Sequence, residues 1–441
     1  MTTKNRIRAF AVGTAMVLTL GACGLLDVNN PNNLVEADIH NAAAASAVVN
    51  GAHGRIAIAV SSIWQPYMVA TDEMYWIGSR DAWLSLDNGF LSDPNNEFTD
   101  AAFPNLGEAR WMADQADSIL TAHVAESPTS TMKSDLARAQ MYRGLIYMII
   151  GEVQQDFCFS NKKVAGPPVG PDQMSTVLDD AIAAYGEAIA GFSALGETDN
   201  MILATALRAR AEFSRAEWSK IKPSIASNPL VSSAAAVADA KTVLAAKADD
   251  EWKWGFEYSG STVTNDMANW VNDRKENQFD LSVVTVNDAK DITGIALMDP
   301  IDNIPDPVIT AKVAEWKGGK VTDKGDSYAP LDVVSARMMH LIIAEDALAG
   351  GDNATFTSEI NTIRGLDGLT PYSNQMPALN MLEHERRVNL FLMGERLVDM
   401  YRFGIKDPMW LSGSDAMDHP GTLLPITIIE IRANPYLNGS K

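Results

Sequence analysis

The sequence predicts a mostly α-helical protein with irregular loop insertions and a few short strands. Stripes of apolar residues recur at the helical period of about 3.6 residues. Alanine-rich segments follow one another with short connections, and the best strand candidate is a single short β-branched run, LSVVTV at 281–286. This order of elements indicates antiparallel helix pairs stacked in series.

The N-terminus has the build of an export signal followed by a lipid attachment site. Basic residues occur at three of the first eight positions, and 9–20 is an uncharged apolar stretch too short to span a bilayer. The tetrad LGAC at 20–23 resembles a bacterial lipobox, in which the cysteine is acylated and becomes the first residue. We therefore predict a lipoprotein signal peptide over 1–22 and a lipid anchor at Cys23, with a plain signal peptide as the alternative.

Composition excludes several classes of protein. A chain of 441 residues that is 46% hydrophobic and 21% charged is globular rather than disordered. The formal net charge of −21 argues against nucleic acid or an anionic lipid surface as the main partner. With Cys23 acylated, Cys158 has no partner for an intrachain disulfide, and we predict it to be a small buried hydrophobe.

The first half of the mature chain passes from tether to helical repeats. An extended, Asn-rich tether is predicted over 23–35 and a helix over 40–60. Prolines and glycines punctuate 61–107, which we expect to be loop-rich. Apolar stripes at helical spacing then fill 134–248, in a pattern loosely like tetratricopeptide repeats although the full repeat signature is absent.

The second half returns from loops to helices. The stretch 249–330 is rich in Trp, Asn, Asp and Gly and is expected to be loop-rich. Helices resume over 332–403, where Gly394 should interrupt the last of them. Because no low-complexity linker occurs, we predict a single domain over 36–441.

The sequence lacks the common motifs of enzymes. His384 begins an HExxH-like run without its second histidine, and no P-loop, GxGxxG or GxSxG occurs. The six histidines include no close pair. Adjacent acids such as Asp72 and Glu73 could serve a glycosidase, but chance adjacency is expected among 56 acidic residues. We therefore predict no catalytic residues, no metal and no cofactor.

Tryptophans concentrate in the two loop-rich stretches, which hold seven of the ten. An aromatic ring stacks on the apolar face of a sugar, while nearby amide, carboxylate and guanidinium groups bond its hydroxyls. Alternatively, these tryptophans anchor the loops on the helical core, and a peptide ligand could use Arg80 or Arg274 for its carboxylate. The predicted ligand contacts are Trp76, Arg80, Asp81, Trp83, Trp254, Asn269, Trp270 and Arg274.

A charged run, LEHERRVNLFLMGERLVDMYRFG, occupies 382–404. In it Asp399 lies three residues from an arginine on either side, Arg396 and Arg402, which is a helical ion-pair spacing. The residues alone predict an amphipathic helix pair held by ion pairs, with a structural role.

This run also resembles the C-terminal signature of the SusD/RagB family, together with EINTIRGLDGL at 359–369 and TLLPI with a closing Asn-Pro within 422–435. LDVNNPN at 26–32, after the lipobox, resembles the family's leader to its first helix. The resemblance covers nearly the whole mature chain. It implies a single SusD-like domain whose tetratricopeptide-like helical core carries irregular, ligand-binding insertions.

The resemblance implies a non-enzymatic outer-membrane lipoprotein at the cell surface. Such a protein captures a nutrient, here an oligosaccharide, and delivers it to a TonB-dependent outer-membrane transporter. The family's ligand contacts come from insertions, which correspond here to 61–107 and 249–330. No acidic cluster of the kind that often marks surface export follows Cys23, which leaves a periplasmic orientation open. The alternative function is a helical-repeat envelope scaffold that binds no small molecule.

Overall fold

Helices packed in series make up most of the structure. The computed structural model describes residues 44–161, 163–222 and 226–439. The signal peptide, the lipid anchor at Cys23 and the tether lie outside the described residues. From Ser46 onward the described chain forms one compact unit. Within this part of the chain, no helix combines the length and apolar character that crossing a bilayer requires.

Short antiparallel strand pairs accompany the helices. The strands pair as Met74–Trp76 with Asn277–Phe279, Lys253–Phe256 with Leu331–Ser335, and Val284–Val286 with Ile292–Ile295. The helices run over Ala45–Val69, Asp81–Asp87, Glu97–Glu126, Ser130–Val153, Ser175–Leu195, Thr198–Ile221, Ala234–Ala246, Asp266–Ala268, Pro307–Trp316, Ala336–Ala349, Asn353–Leu366, Ala378–Asn389, Arg396–Phe403, Asp415–Asp418 and Ile428–Ala433, with a π-helix at Asn269–Asp273 and a 3-10 turn at Pro171–Gln173.

The helix pairs predicted over 134–248 are confirmed, since each helix from Ser130–Val153 to Ala234–Ala246 packs against the next. The apolar stripe of Ser175–Leu195 is buried from Val177 to Phe192, as its spacing predicts. Gly144 lets the preceding helix approach closely, since a Cβ there would lie 2.9 Å from the ring of Tyr185. Helix Ala234–Ala246 then packs on Ala336–Ala349, which continues the series.

The stretch 61–107 is more helical than its prolines and glycines predict. Helix Ala45–Val69 runs through Pro66, and helix Glu97–Glu126 contains Pro104. The side chains around Pro66 are all buried, so packing outweighs the single backbone hydrogen bond that a proline removes. The expectation of a mainly loop-rich segment is therefore wrong at both ends of this stretch.

The predicted interruption near Gly394 is confirmed. Helix Ala378–Asn389 ends before it and Arg396–Phe403 begins after it. Gly394 has φ 82°, and a Cβ there would lie 2.8 Å from the indole nitrogen of Trp64. Both the backbone conformation and the close approach therefore require glycine.

The charged run at 382–404 forms a buried ion network. Arg402 bonds Asp399 at 2.7 Å, as the helical spacing predicts. Arg402 also pairs with Glu345, and Arg386 bonds Asp399 at 2.9 Å. Arg396 instead bonds Asp72 at 2.6 Å, an acid 324 residues away in the sequence. The run is structural, but it is a core rather than an amphipathic surface.

Candidate ligand-binding site

A pocket of about 250 Å³ opens between the helices Ala45–Val69 and Glu97–Glu126 and the π-helix Asn269–Asp273. We call it the aromatic pocket. It brings together four of the predicted ligand contacts, although they come from two distant loop regions. Its lining comprises Ser62, Gln65, Trp83, Phe98, Ala101, Ala102, Asn105, Asp266, Asn269, Trp270 and Arg274.

Three aromatic rings form one wall of this pocket. Trp83 stacks on Phe98 with ring centres 3.7 Å apart and planes 5° apart. Trp270 meets both rings edge-on, at 5.6 Å from Trp83 and 5.1 Å from Phe98. Trp83 is 1% exposed whereas Trp270 is half-buried. Trp270 is therefore the ring that can present a face to a ligand, and Trp83 supports it from the core.

Two guanidinium groups flank Trp270. The guanidinium carbon of Arg274 lies 4.7 Å from the ring centre and that of Arg80 lies 5.9 Å from it. Arg80 also bonds Glu97 at 2.6 Å. The backbone nitrogen of Arg80 donates to Glu276 at 3.1 Å, which fixes the loop that carries it. Burial acts to raise the pKa of Glu276, but hydrogen bonds from this loop outweigh it and hold the pKa below its ordinary value.

Buried hydrogen-bond donors also line the pocket. Gln65 is 2% exposed, and its Nε2 has no hydrogen-bond partner within the described part of the chain. The indole nitrogen of Trp83 is also buried and has no hydrogen-bond partner among the described residues. Buried donors normally have partners, so two unpartnered donors at one pocket indicate a place for ligand acceptors. Burial raises the pKa of the Asp266 carboxyl, although the positive charge of Arg274 acts to lower it.

The structure does not bring every predicted contact to this pocket. Trp254 lies in a strand opposite Val334, and its ring packs on Phe256 at 5.6 Å. Asp81 is exposed in the first turn of its helix, and Trp76 is held in a strand by a hydrogen bond from its backbone nitrogen to the neighbouring helix. None of the three lines the pocket. Tryptophan-rich composition identified the regions but not which rings converge.

The sequence does not predict several of the lining residues, because their segments have the prolines and glycines of loops. Phe98, Ala101, Ala102 and Asn105 lie at helical offsets of 0, 3, 4 and 7, which places them on one helix face. This helical spacing is the sequence signal that could have identified these residues as one face of the pocket. Asn105 Nδ2 donates to Ser62 Oγ at 3.2 Å across the two helices.

One cluster has a metal-like composition. Donor atoms of Asp299, Asp306 and His384 lie within 4.8 Å of one another. Arg364 already bonds Asp299 at 2.8 Å, and Asp306 accepts two backbone hydrogen bonds as the cap of helix Pro307–Trp316. Because a guanidinium occupies the carboxylate, the cluster is explained as an ion-pair network of the core.

Comparison with known proteins identifies the architecture. The sequence matches no protein-family model and no curated protein. A SusD superfamily protein from Bacteroides thetaiotaomicron superposes with a TM-score of 0.63 at 16% identity, over 89% of this chain and 98% of that one. One from Bacteroides fragilis gives 0.60 at 14% identity, over 90% and 98%. A SusD-like carbohydrate binding protein from Bacteroides vulgatus gives 0.50 at 12% identity, over 82% and 83%. By the extent of these superpositions, the chain has the SusD-like fold that its sequence resemblance implies.

Proposed function

We propose that this protein is a non-enzymatic outer-membrane lipoprotein that captures an oligosaccharide in the aromatic pocket. It then delivers the ligand to a TonB-dependent transporter. The observation that carries the proposal is the half-buried ring of Trp270 beside two unpartnered buried donors. The SusD-like fold supports it, since one structural neighbour is described as a carbohydrate binding protein.

The chemistry of the pocket suits a hydroxyl-rich ring. Trp270 offers an apolar face for stacking, and Gln65 and Trp83 offer donors to hydroxyl oxygens. Asp266 and Asn269 offer acceptors to hydroxyl protons. At about 250 Å³ the pocket is smaller than the usual site for a drug-sized ligand. We therefore expect it to hold one sugar ring, with the rest of the glycan extending outward.

The lining supports binding without hydrolysis. Glycoside hydrolysis generally uses two carboxyl groups that flank the bond to be cleaved. Among the described residues that line the pocket, Asp266 is the only acidic one. We therefore expect a bound glycan to be recovered intact after prolonged incubation, and its cleavage would contradict the proposal.

Calorimetric titration with a panel of soluble oligosaccharides tests the binding site. Trp270→Ala should weaken binding by about tenfold or more, because stacking and the flanking cation–π contacts are lost together. Trp254→Ala is the matched control, since it removes a half-buried tryptophan that does not line the pocket. Equal glycan binding by the two variants would contradict the assignment of the aromatic pocket as the glycan site. Failure of the folded protein to bind any glycan of the panel would favour the envelope scaffold.

The lipid anchor and the transporter have separate tests. Cys23→Ala should move the protein from the membrane fraction to the soluble fraction and abolish labelling by palmitate. Cys158→Ala is the control, because this buried thiol should not affect anchoring. In mild detergent the wild-type protein should co-purify with a TonB-dependent barrel. Repeated recovery of the protein alone would contradict the transporter partnership.

A further inference from the structure

A second pocket lies on the other side of the π-helix Asn269–Asp273. It encloses about 380 Å³. The π-helix separates the two cavities, because Asn269 and Trp270 line the aromatic pocket while Val271 and Asn272 line this one. We call it the lysine pocket, after the side chains that give it its charge: Lys275, Lys290, Lys317 and Lys324.

Lys317 is a buried cation without an ion-pair partner. It is 5% exposed, and its Nζ donates to Oδ1 of Asn272 at 2.8 Å. No ion pair among the described residues includes Lys317, and Asp291, the acid that acts on it, pairs with Lys275 at 3.2 Å instead. The Nζ of Lys317 also lies 5.7 Å from the ring centre of Phe279. An ammonium group has three protons to donate, so one amide oxygen and one ring face leave it under-satisfied. Burying such a charge is costly unless a counter-charge meets it.

Asn272 holds this ammonium in a fixed position. Its Nδ2 donates to the backbone oxygens of Trp316 at 3.0 Å and Asp326 at 2.8 Å, which leaves Oδ1 for Lys317. Gly325 allows the close approach of the loop, since a Cβ there would lie 2.5 Å from Asn272. The fold therefore constructs this arrangement rather than tolerating a stray lysine.

The charge around the pocket has the opposite sign to that of the protein. Four lysines line it against two aspartates, Asp291 and Asp323, which leaves a surplus of two positive charges on a chain of −21. Lys275 and Lys290 adopt φ values of 52° and 64°. Such left-handed conformations are strained for residues other than glycine and concentrate at functional sites. Local charge and local backbone thus both set this pocket apart.

We propose that the lysine pocket binds the oxyanion of a small acidic ligand, a carboxylate or a phosphate, through the buried ammonium of Lys317. Lys275, Lys290 and Lys324 add charge around it. An oxyanion provides the acceptors that the ammonium lacks, and charge-assisted hydrogen bonds are the stronger kind. This site stands apart from the proposed glycan site and does not depend on it.

The titration of Lys317 provides a signature of binding. Burial, with Lys275 adding to it and Asp291 opposing it, lowers the pKa of Lys317 to about 8. The other charged groups that line the pocket are Lys290, Lys324 and Asp323. A bound oxyanion favours the charged ammonium and raises this pKa. At pH 8, close to this pKa, binding should therefore take up a fraction of a proton, which calorimetry in two buffers of different ionisation enthalpy measures directly.

The test is calorimetry on the full chain with inorganic phosphate, glucuronate and glucose as probes. Phosphate or glucuronate should bind with proton uptake, and Lys317→Met should weaken that binding by about tenfold or more. Lys320→Met is the matched control, because it removes the same charge from an exposed position outside the pocket. Tighter binding of glucuronate than of phosphate identifies a sugar acid, and the reverse identifies a phosphate ligand. Glucose, which has no charge, should not distinguish the wild type from Lys317→Met.

Two outcomes would contradict the proposal that the lysine pocket binds an oxyanion. One is that neither anion binds to the folded wild-type protein. The other is that Lys317→Met, or the exposed variant Lys275→Gln if the former fails to fold, binds both anions with wild-type affinity and proton uptake. Lys275→Gln should weaken binding by about threefold at low salt and less at high salt, because an exposed charge is screened.

Discussion

The guanidinium of Arg396 donates two hydrogen bonds to the carboxylate of Asp72, from Nε to Oδ1 at 2.6 Å and from a terminal nitrogen to Oδ2 at 2.8 Å, across 324 residues of sequence. Both side chains are buried. Burial acts to raise the pKa of Asp72, but Arg396 and then Arg387 outweigh it and hold the pKa below its ordinary value. The pair joins the segment after the first described helix to the last part of the charged run.

Asp72→Asn should destabilise the protein strongly. The substitution leaves the buried guanidinium of Arg396 without its counter-charge, a change that costs about 3–5 kcal/mol in comparable buried pairs. Urea denaturation followed by circular dichroism measures the loss. Asp199→Asn removes a carboxylate that pairs with Lys247 but is exposed, and it should cause no measurable change. Equal stability of the two variants would contradict a structural role for the long-range pair.

Stability should decline as the pH rises from about 4 to 7. Burial is the main cause that raises the pKa of both Asp87 and Asp407 to about 7. The charge of Asp407 adds to it at Asp87, and the charges of Asp280 and Asp72 add to it at Asp407. An acid whose pKa is higher in the folded state than in the unfolded state binds more protons when folded. Its stabilising contribution is therefore complete below the unfolded pKa and is lost as the pH rises through the folded one.

Asp87→Asn tests this pH dependence. The amide mimics the protonated acid and retains an oxygen that can accept from the backbone nitrogen of Trp76. The decline in unfolding free energy between pH 4 and 7 should shrink by about 3 kcal/mol. Asp81→Asn, at an exposed position of the same helix, should leave the curve unchanged. A curve that keeps its full slope in Asp87→Asn would exclude this carboxyl as a source.

Gln65→Leu should stabilise the empty protein and impair the proposed glycan binding. The buried Nε2 of Gln65 has no partner in the described residues, so removing it relieves a desolvation cost of about 1–3 kcal/mol. The same donor is the one that we assign to a ligand hydroxyl. A higher melting temperature together with about tenfold weaker glycan binding is expected.

Gln154→Leu is the control for that substitution. Gln154 is fully buried and both its side-chain polar atoms lack partners among the described residues, but it does not line the aromatic pocket. This variant should also gain stability and should bind glycan as the wild type does. Unaltered glycan binding by Gln65→Leu would contradict the assignment of Gln65 as a donor to the ligand.

Gly78→Ala should weaken the site from outside it. A Cβ at Gly78 would lie 2.0 Å from a carboxylate oxygen of Glu276 and 2.7 Å from its backbone. Glu276 must then move, and it releases the loop that positions Arg80 over Trp270. Weaker glycan binding and a modest loss of stability are expected. Gly54→Ala, where nothing lies within 4 Å of the added atom, should gain about 0.5–1 kcal/mol and leave binding unchanged.

The sequence predicts the helical repeats well because their signal is local. The stripe from Val177 to Phe192 specifies a buried helix face without reference to any other part of the chain. Pro66 misleads for the opposite reason, since its helix is stabilised by tertiary burial that local propensity does not contain. Element types that depend on local spacing are therefore predictable, and those decided by packing are not.

The candidate site also has features that the local sequence predicts and features that only the packing decides. Trp83 and Trp270 come from stretches that composition identified, but their edge-on contact depends on how two distant loops fold together. The ion pairs show the limit most clearly. The i,i+3 spacing correctly pairs Asp399 with Arg402, whereas Arg396, at the same spacing, bonds Asp72. No local pattern specifies a partner that is 324 residues away.

The contacts around Asp72 have a consequence for the order of folding. The backbone nitrogen of Leu392 donates to Glu73 at 2.8 Å, and the indole nitrogen of Trp410 donates to the backbone oxygen of Ala70 at 3.1 Å. The segment 70–73 therefore obtains several of its partners from residues late in the chain, while the backbone oxygen of Glu73 accepts from Asp280. Folding of this unit has a high contact order and cannot be completed as the polypeptide emerges. A chain cut short before Leu392 would retain its first helices yet deprive Asp72 of Arg396 and Glu73 of the backbone nitrogen of Leu392, so loss of the C-terminus should unfold the N-terminal part as well.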